Sequence, residues 1–432
     1  MGRSWFGGRW RRGLVLLALV LVSVNLRPAI TTVAGVMNQI NGAFGLDPSL
    51  LPLLGTLPVL AFGITGGIGP WLARRVGTGA AVAIALLVLA VALLVRVLIP
   101  SLLLPGTFLA GTAIMTASVL VPQIVKANRG TGWWTGLCTM GFGLGAALGA
   151  GLVQPLEHAF GGSLAGALAV WALPAGAGAV LIFRAGRPTA SPGASARVAT
   201  AGGGGAAGGP VPPSDVIHTV TPLRKQRTAW AVAAFFGLQA MLYFAITSWL
   251  AVFLTSKGLS AAEAAALLAW FSVAGLPASL LAPVLAGRER ILRILAPGLG
   301  IFVAVALIGV LLAPATLQFA MVGVLGVVQS AGFGLGMALV VIRSTGPQSA
   351  GKLSAMSQGF GFALASLGPL AAGLLHTWTG GWETTFLALA AVALVLAGAG
   401  FFAIRGPVAG IASDEAGTEP LTENRTKPEL IR

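Results

Sequence analysis

An arginine in the middle of an apolar run is the first residue of this chain that asks for a chemical explanation. Arg27 sits in Val24-Asn25-Leu26-Arg27-Pro28, inside a stretch at 13–40 that carries no other charge. An arginine at the centre of a membrane helix costs roughly 2.5–3.5 kcal/mol on insertion scales, so something must compensate it. It is the fifteenth residue of the run, about 21 Å along a helix rising 1.5 Å per residue and past the middle of a hydrocarbon core ~30 Å thick. Pro28 removes an intrahelical hydrogen bond and frees the Val24 carbonyl beside the charge. Ser23, Arg27, Thr31 and Asn38 share one face, while Asn25, Thr32 and Gln39 form a second polar line. A helix that is polar on one side at this depth faces protein or water. The chemistry this points to is capture of a small anion or a polarisable acceptor by a fixed positive charge.

Other polar residues at comparable depth could share that task. Gln239 precedes Tyr243 by one turn on the same helical face, at nearly the depth of Arg27, and the pair either bonds cargo across a cavity or satisfies neighbouring helices. Thr112, Thr116 and Gln329 are also mid-membrane, with the reservation that threonine in such helices often bonds its own backbone. All of the 11 acids fall in loops, at helix ends or in the tail, so Arg27 has no carboxylate partner at its depth. Arg96, near the end of its helix and just before Pro100, is expected to snorkel to the interface.

The elements that hold these residues follow from hydropathy. With 432 residues, 56% hydrophobic and 9% charged, and a mean hydropathy of +0.92, the chain reads as an all-α membrane protein. Apolar spans fall at 13–40, 50–72, 78–99, 102–125, 132–153 and 163–183, then at 229–254, 263–286, 291–313, 317–342, 353–375 and 384–404. Twelve transmembrane helices result, in two pseudo-symmetric halves of six, at 13–184 and 229–405. Residues 1–12 are expected in the cytoplasm. The segment 185–228 is rich in Gly, Pro and Ala and is expected to be a flexible cytoplasmic linker; residues 406–432 are expected to be a disordered cytoplasmic tail.

Of the 26 Lys and Arg, all except Arg27, Arg96 and Lys257 fall on one side of this topology. That asymmetry puts both termini in the cytoplasm and accounts for the net charge of +15 without nucleic acid. RWRR followed by an apolar run resembles a signal peptide, but no cleavage site follows and the run completes a span. The two halves repeat weakly: GFGL at 141–144 recurs as GFGF at 359–362, and the basic ends Arg75 and Arg293 recur at the same offset. In GFGLGAALGAG, 141–151, small residues recur every fourth position, a spacing that lets helices approach closely. Eight tryptophans, among them Trp71, Trp133, Trp230 and Trp378, lie at helix ends as interfacial anchors.

The stretch NLRPAITTVAG at 25–35, the arginine before Pro100, WAVAAFFGLQAMLYFAITSWLAVFL at 230–254 and AGKLSAMSQGFGFALASLGPL at 350–370 resemble the cyanate and 2-nitroimidazole permease family of the major facilitator superfamily. In GPWLARRVG, 69–77, Ala73 stands where the superfamily's signature usually has aspartate. The resemblance implies a secondary transporter of small solutes in the cytoplasmic (inner) membrane, working as a monomer, with H+ a candidate coupling ion. Two readings of the cargo stand: a small, cyanate-like anion or polar compound held by Arg27, Asn25, Thr31, Thr112, Thr116, Gln239, Tyr243 and Gln329, or export of nitroimidazole-like heterocycles. The second calls for an aromatic lining, for which Tyr243 and Trp270 are few. An enzyme would need clustered ligands or a nucleophile with a base. His158, His218 and His376 are scattered and Cys138 is alone, so no cofactor or metal is expected.

Overall fold

The computed structural model describes residues 3–35, 40, 43–45, 51–186 and 222–408. Among them are 11 helical stretches long and apolar enough to cross a membrane. A twelfth crossing is divided into two shorter helices. In chain order the spans are α1 (Arg3–Asn25) with α2 (Pro28–Gly35); α3 (Leu51–Thr65) with α4 (Ile68–Val76); α5 (Thr78–Leu98); α6 (Leu103–Ala127); α7 (Gly132–Ala159); and α8 (Leu164–Ala169) with α9 (Ala172–Gly186). The second six are α10 (Arg227–Ser256); α11 (Ala261–Ala274) with α12 (Leu276–Ala286); α13 (Glu289–Leu312); α14 (Gln318–Ile342); α15 (Pro347–Ala365) with α16 (Leu367–Thr379); and α17 (Trp382–Arg405).

Five spans that hydropathy presents as single helices are divided, and each division lies within four residues before a proline. The breaks at Leu26–Arg27, Gly66–Gly67, Val170–Trp171, Gly275 and Ser366 precede Pro28, Pro70, Pro174, Pro277 and Pro369. Proline lacks the N–H and crowds the carbonyl four residues back, so the ladder opens there. Helix α1 also begins earlier than the apolar run, at Arg3, with Gly7 and Gly8 carried inside it. The proposed linker falls largely at 187–221, and most of the tail falls at 409–432, as Asn38 and Gln39 fall at 36–39; these lie outside the described residues.

Inside each half the same pairings recur. The first span packs on the fifth and sixth, the second on the fourth, and the third on the sixth; the seventh packs on the eleventh and twelfth, the eighth on the tenth, and the ninth on the twelfth. Lipid offers little hydrophobic drive between helices, so close approach of small residues carries the packing. The stripe Gly141, Gly145 and Gly149 of α7 shows how. Built Cβ atoms there would meet the Val20 carbonyl at 3.3 Å, the Val24 carbonyl at 2.1 Å and Pro28 Cα at 2.7 Å. Helix α7 therefore seats directly on the break that holds Arg27.

Contacts between the halves concentrate toward the face that carries Arg75, Lys126, Arg288 and Arg405. Helix α12 lies on α7, and α15 lies on α3 and α6. There Thr139 Oγ1 donates to the Ser279 carbonyl at 2.6 Å, Ser118 Oγ donates to Gln358 Oε1 at 2.6 Å, and Lys126 Nζ donates to the Val341 carbonyl at 2.9 Å. Toward the opposite face, α2 packs on α7 and α3 of its own half and α16 on α10 and α17 of its own. Lys257, the one loop cation expected on that face, is engaged by the end of α13, donating to the carbonyls of Leu311 and Ala313.

Candidate functional site

A cavity opens where the halves stop touching. Along α7 from the basic face, Gly132 and Gly136 lie against Pro283 and Leu280, and Thr139 against Ser279. Then Phe142, Gly143 and Ala146 line a space of about 730 Å³, part of it continuous with solvent. Both halves contribute to its wall: Arg27 from the first, and Gln239, Tyr243, Phe244, Gln329, Phe333 and Phe362 from the second.

Arg27 reaches this cavity because Pro28 ends α1 two residues short of it. The chain turns at Leu26–Arg27, and the Arg27 carbonyl accepts from the amides of Ile30 and Thr31 at 3.1 Å each as α2 starts. The guanidinium lies beside a pair of phenyl rings that meet edge to face, 5.8 Å from the centroid of Phe142 and 5.8 Å from that of Phe333. A cation over an aromatic face gains about 0.5–2 kcal/mol, which offsets part of the cost of its depth. The ion pair Arg293–Glu289, exposed at the basic face, is the one present among the described residues. Among the described residues no carboxylate lines the cavity, and none accepts a hydrogen bond from the Arg27 side chain. The charge is thus partly sheltered by rings while its N–H groups await an acceptor.

Four of the eight candidate residues meet at this cavity: Arg27, Gln239, Tyr243 and Gln329. Gln239 Nε2 donates to Gln329, at 3.0 Å to its main-chain carbonyl and at 3.3 Å to its Oε1. The other four do not line it, and in each the polar group bonds its own helix. Asn25 Nδ2 donates to the Leu21 carbonyl, Thr31 to Arg27, Thr112 to Phe108, and Thr116 to Thr112. Asn25 is buried toward α9, near Gly178, and Thr31 lies against Gly149. Helical spacing alone does not say which polar line turns inward, because the break after Asn25 rotates α2 relative to α1.

Two expectations are corrected. Arg96 does not snorkel: it is 1% exposed, with Nη1 donating to the Ala29 carbonyl at 3.1 Å while Nε and Nη2 have no partner among the described residues. Gly106 makes room for it, since a Cβ there would fall 2.7 Å from Arg96 Cβ. The aromatic lining is also larger than Tyr243 and Trp270. Phe142, Phe244, Phe333 and Phe362 all face the cavity, whereas Trp270 stacks on Phe319, centroids 4.8 Å apart, in a separate groove. Sequence reading missed the phenylalanines because nothing marks one apolar residue among many as inward.

The arrangement of two six-helix repeats around a central cavity is matched by comparison with known proteins. The family model for the Major Facilitator Superfamily matches residues 16–357. The chain belongs to this superfamily. The cyanate transport protein of Escherichia coli (strain K12) is 31% identical over 405 residues, covering 91% of this chain and 98% of that protein. The 2-nitroimidazole transporter of the same organism is 28% identical over 393 residues, covering 89% and 94%. Among solved structures, the Escherichia coli fucose:proton symporter superposes with a TM-score of 0.68 at 15% identity, covering 91% of this chain and 98% of that one. Superfamily members are carriers, so the site is read for binding and passage.

Proposed function

We propose that this chain is a secondary active transporter that binds a small monoanion or strongly polar solute at Arg27 and passes it across the cytoplasmic membrane by alternating access. One observation carries the reading: a guanidinium held beside Phe142 and Phe333, in a cavity shared by both halves, with no carboxylate among the described residues to neutralise it. A buried unpaired charge is costly, and an anion that neutralises it gains charge-assisted hydrogen bonds from a planar donor fork. The cyanate transport protein among the relatives is named for a cargo of this kind. Among the described residues no lining carboxylate offers itself as a proton carrier, so coupling to H+ would run through the cargo's own protonation or through a site elsewhere.

The phenyl lining favours a second reading, export of a flat heterocycle; a relative is named as a transporter of 2-nitroimidazole. One set of purified variants separates them. For the anion reading, Arg27→Lys loses the two-donor fork and lowers cyanate affinity at least tenfold. Arg27→Ala abolishes binding, and both variants keep near-normal thermal stability in detergent. Intact affinity in Arg27→Ala would sink the anion reading and put the heterocycle reading first. The proposed orientation, with both termini in the cytoplasm, is checked by a reporter fused after Pro212; activity of that reporter outside the cell would reverse it.

A further inference from the structure

The part of the cavity wall that carries Gln239 is placed to accept a hydrogen bond. Gln239 Nε2 donates to the main-chain carbonyl of Gln329, and a carbonyl can only accept, so the Gln239 amide is fixed one way round: turned over, its oxygen would face another oxygen. Gln329 is fixed in turn, because its Oε1 is the atom that meets the same N–H. Its Nε2 is sealed and unpartnered. Gln239 Oε1 receives no hydrogen bond from any described residue and, unlike Gln329 Nε2, is not sealed off. It can only accept.

Nearby hydroxyls point the same way. The protons of Thr139, Ser272 and Ser279 lie on the carbonyls of Ser279, Leu268 and Leu276. All three residues line the cavity, and what each hydroxyl has left to offer is lone pairs. The site therefore combines a fixed cation, Arg27, with several groups left to accept; the hydroxyls of Tyr243 and Ser330, which also line the cavity, can serve in either sense.

We propose that Gln239 determines specificity by reading a hydrogen-bond donor on the cargo, so that the site prefers a planar monoanion that also carries an N–H or O–H. This rests on the anion reading of Arg27. A single guanidinium balances one negative charge, and a donor-less anion would satisfy Arg27 while leaving Gln239 Oε1 desolvated and unpaired. Planarity follows from the rings of Phe142, Phe244, Phe333 and Phe362.

The test uses the full-length protein and two ring isosteres of equal charge. Pyrrole-carboxylate has a ring N–H where furan-carboxylate has a ring oxygen, and the 2- and 3-carboxylate isomers present it in two directions. At least one pyrrole isomer is expected to bind about tenfold tighter than its furan counterpart, the worth of one buried hydrogen bond. Gln239→Leu should bring that ratio to about one, whereas a merely structural role would weaken both ligands alike and keep the ratio. Gln239→Met, which keeps the length of the side chain and drops the acceptor, should lower the ratio in the same way if Gln239→Leu does not fold. Equal wild-type affinity for pyrrole and furan rings in both isomers overturns the proposal without any variant. If that binding disappears in Arg27→Ala, the anion reading survives alone; if N–H selectivity persists in Arg27→Ala, the donor reading survives and the anion reading falls. A wild-type protein that binds none of the four overturns this proposal, while cyanate binding and its loss in Arg27→Ala still decide the anion reading.

Discussion

At the scale of single residues, the decisive question is where each polar hydrogen goes. Thr112 and Thr116 give theirs to the carbonyls of Phe108 and Thr112, so Thr112→Val and Thr116→Val are each expected to leave cargo affinity within twofold. A loss of tenfold in isothermal titration would mean that these hydroxyls turn to the cargo. Arg96 poses the reverse case. One hydrogen bond to Ala29 contributes roughly 1.5–3 kcal/mol, while an arginine buried with two unpartnered nitrogens carries a desolvation cost of several kcal/mol. Arg96→Met, which keeps the volume and drops the charge, is therefore expected to hold or raise the melting temperature, and Arg96→Lys to lower it. A sharp fall in Arg96→Met would reveal a stabilising partner for those nitrogens. Arg27 was legible from sequence because a charge at membrane depth has few explanations. The inward face was not: Asn25, Thr31, Thr112 and Thr116 share its depth, and only the turn at Leu26–Arg27 and the local helix bonds decide between them and Gln239.

Among elements, the most informative is the broken first span and the helix laid on it. The apolar runs revealed the spans but not their interruptions, since hydropathy is blind to the ladder and Pro70, Pro174, Pro277 and Pro369 break it without changing the average. Prolines are no certain sign either, because Pro58, Pro122 and Pro297 lie inside continuous helices. The small-residue stripe of α7 was legible, because glycine every fourth residue has a direct packing meaning. Gly145→Ala would place a methyl 2.1 Å from the Val24 carbonyl. Backbone cannot swing aside as a flexible side chain can, so α7 or the break must move, at a cost of roughly 1–3 kcal/mol. Lower thermal stability together with weaker cargo binding is expected. Gly151→Ala, which meets nothing within 4 Å, serves as the control and should leave both unchanged. Equal behaviour of the two variants would remove α7 from the account of how Arg27 is held.

On the scale of the whole molecule, the repeat visible as GFGL and GFGF is realised as matching pairings in the two halves, with one cavity between them and one face sealed. A carrier that works by rocking its halves must break that seal in every cycle. The seal can be locked. Gln123 in α6 and Gly351 in α15 face each other across the halves near the basic face, and a Cβ built at Gly351 lies 3.5 Å from Gln123 Cβ. That separation is at the lower end of the range a disulfide spans. Cys138 is buried and should not compete. The double variant Gln123→Cys and Gly351→Cys is expected to crosslink on mild oxidation, to lose transport in proteoliposomes, and to recover it on reduction. Cargo binding from the unsealed side should persist in the crosslinked state, because the cavity begins beyond the seal. Undiminished transport by fully crosslinked protein would mean that cargo passes without the halves parting at this face, and the alternating-access reading would fail with it.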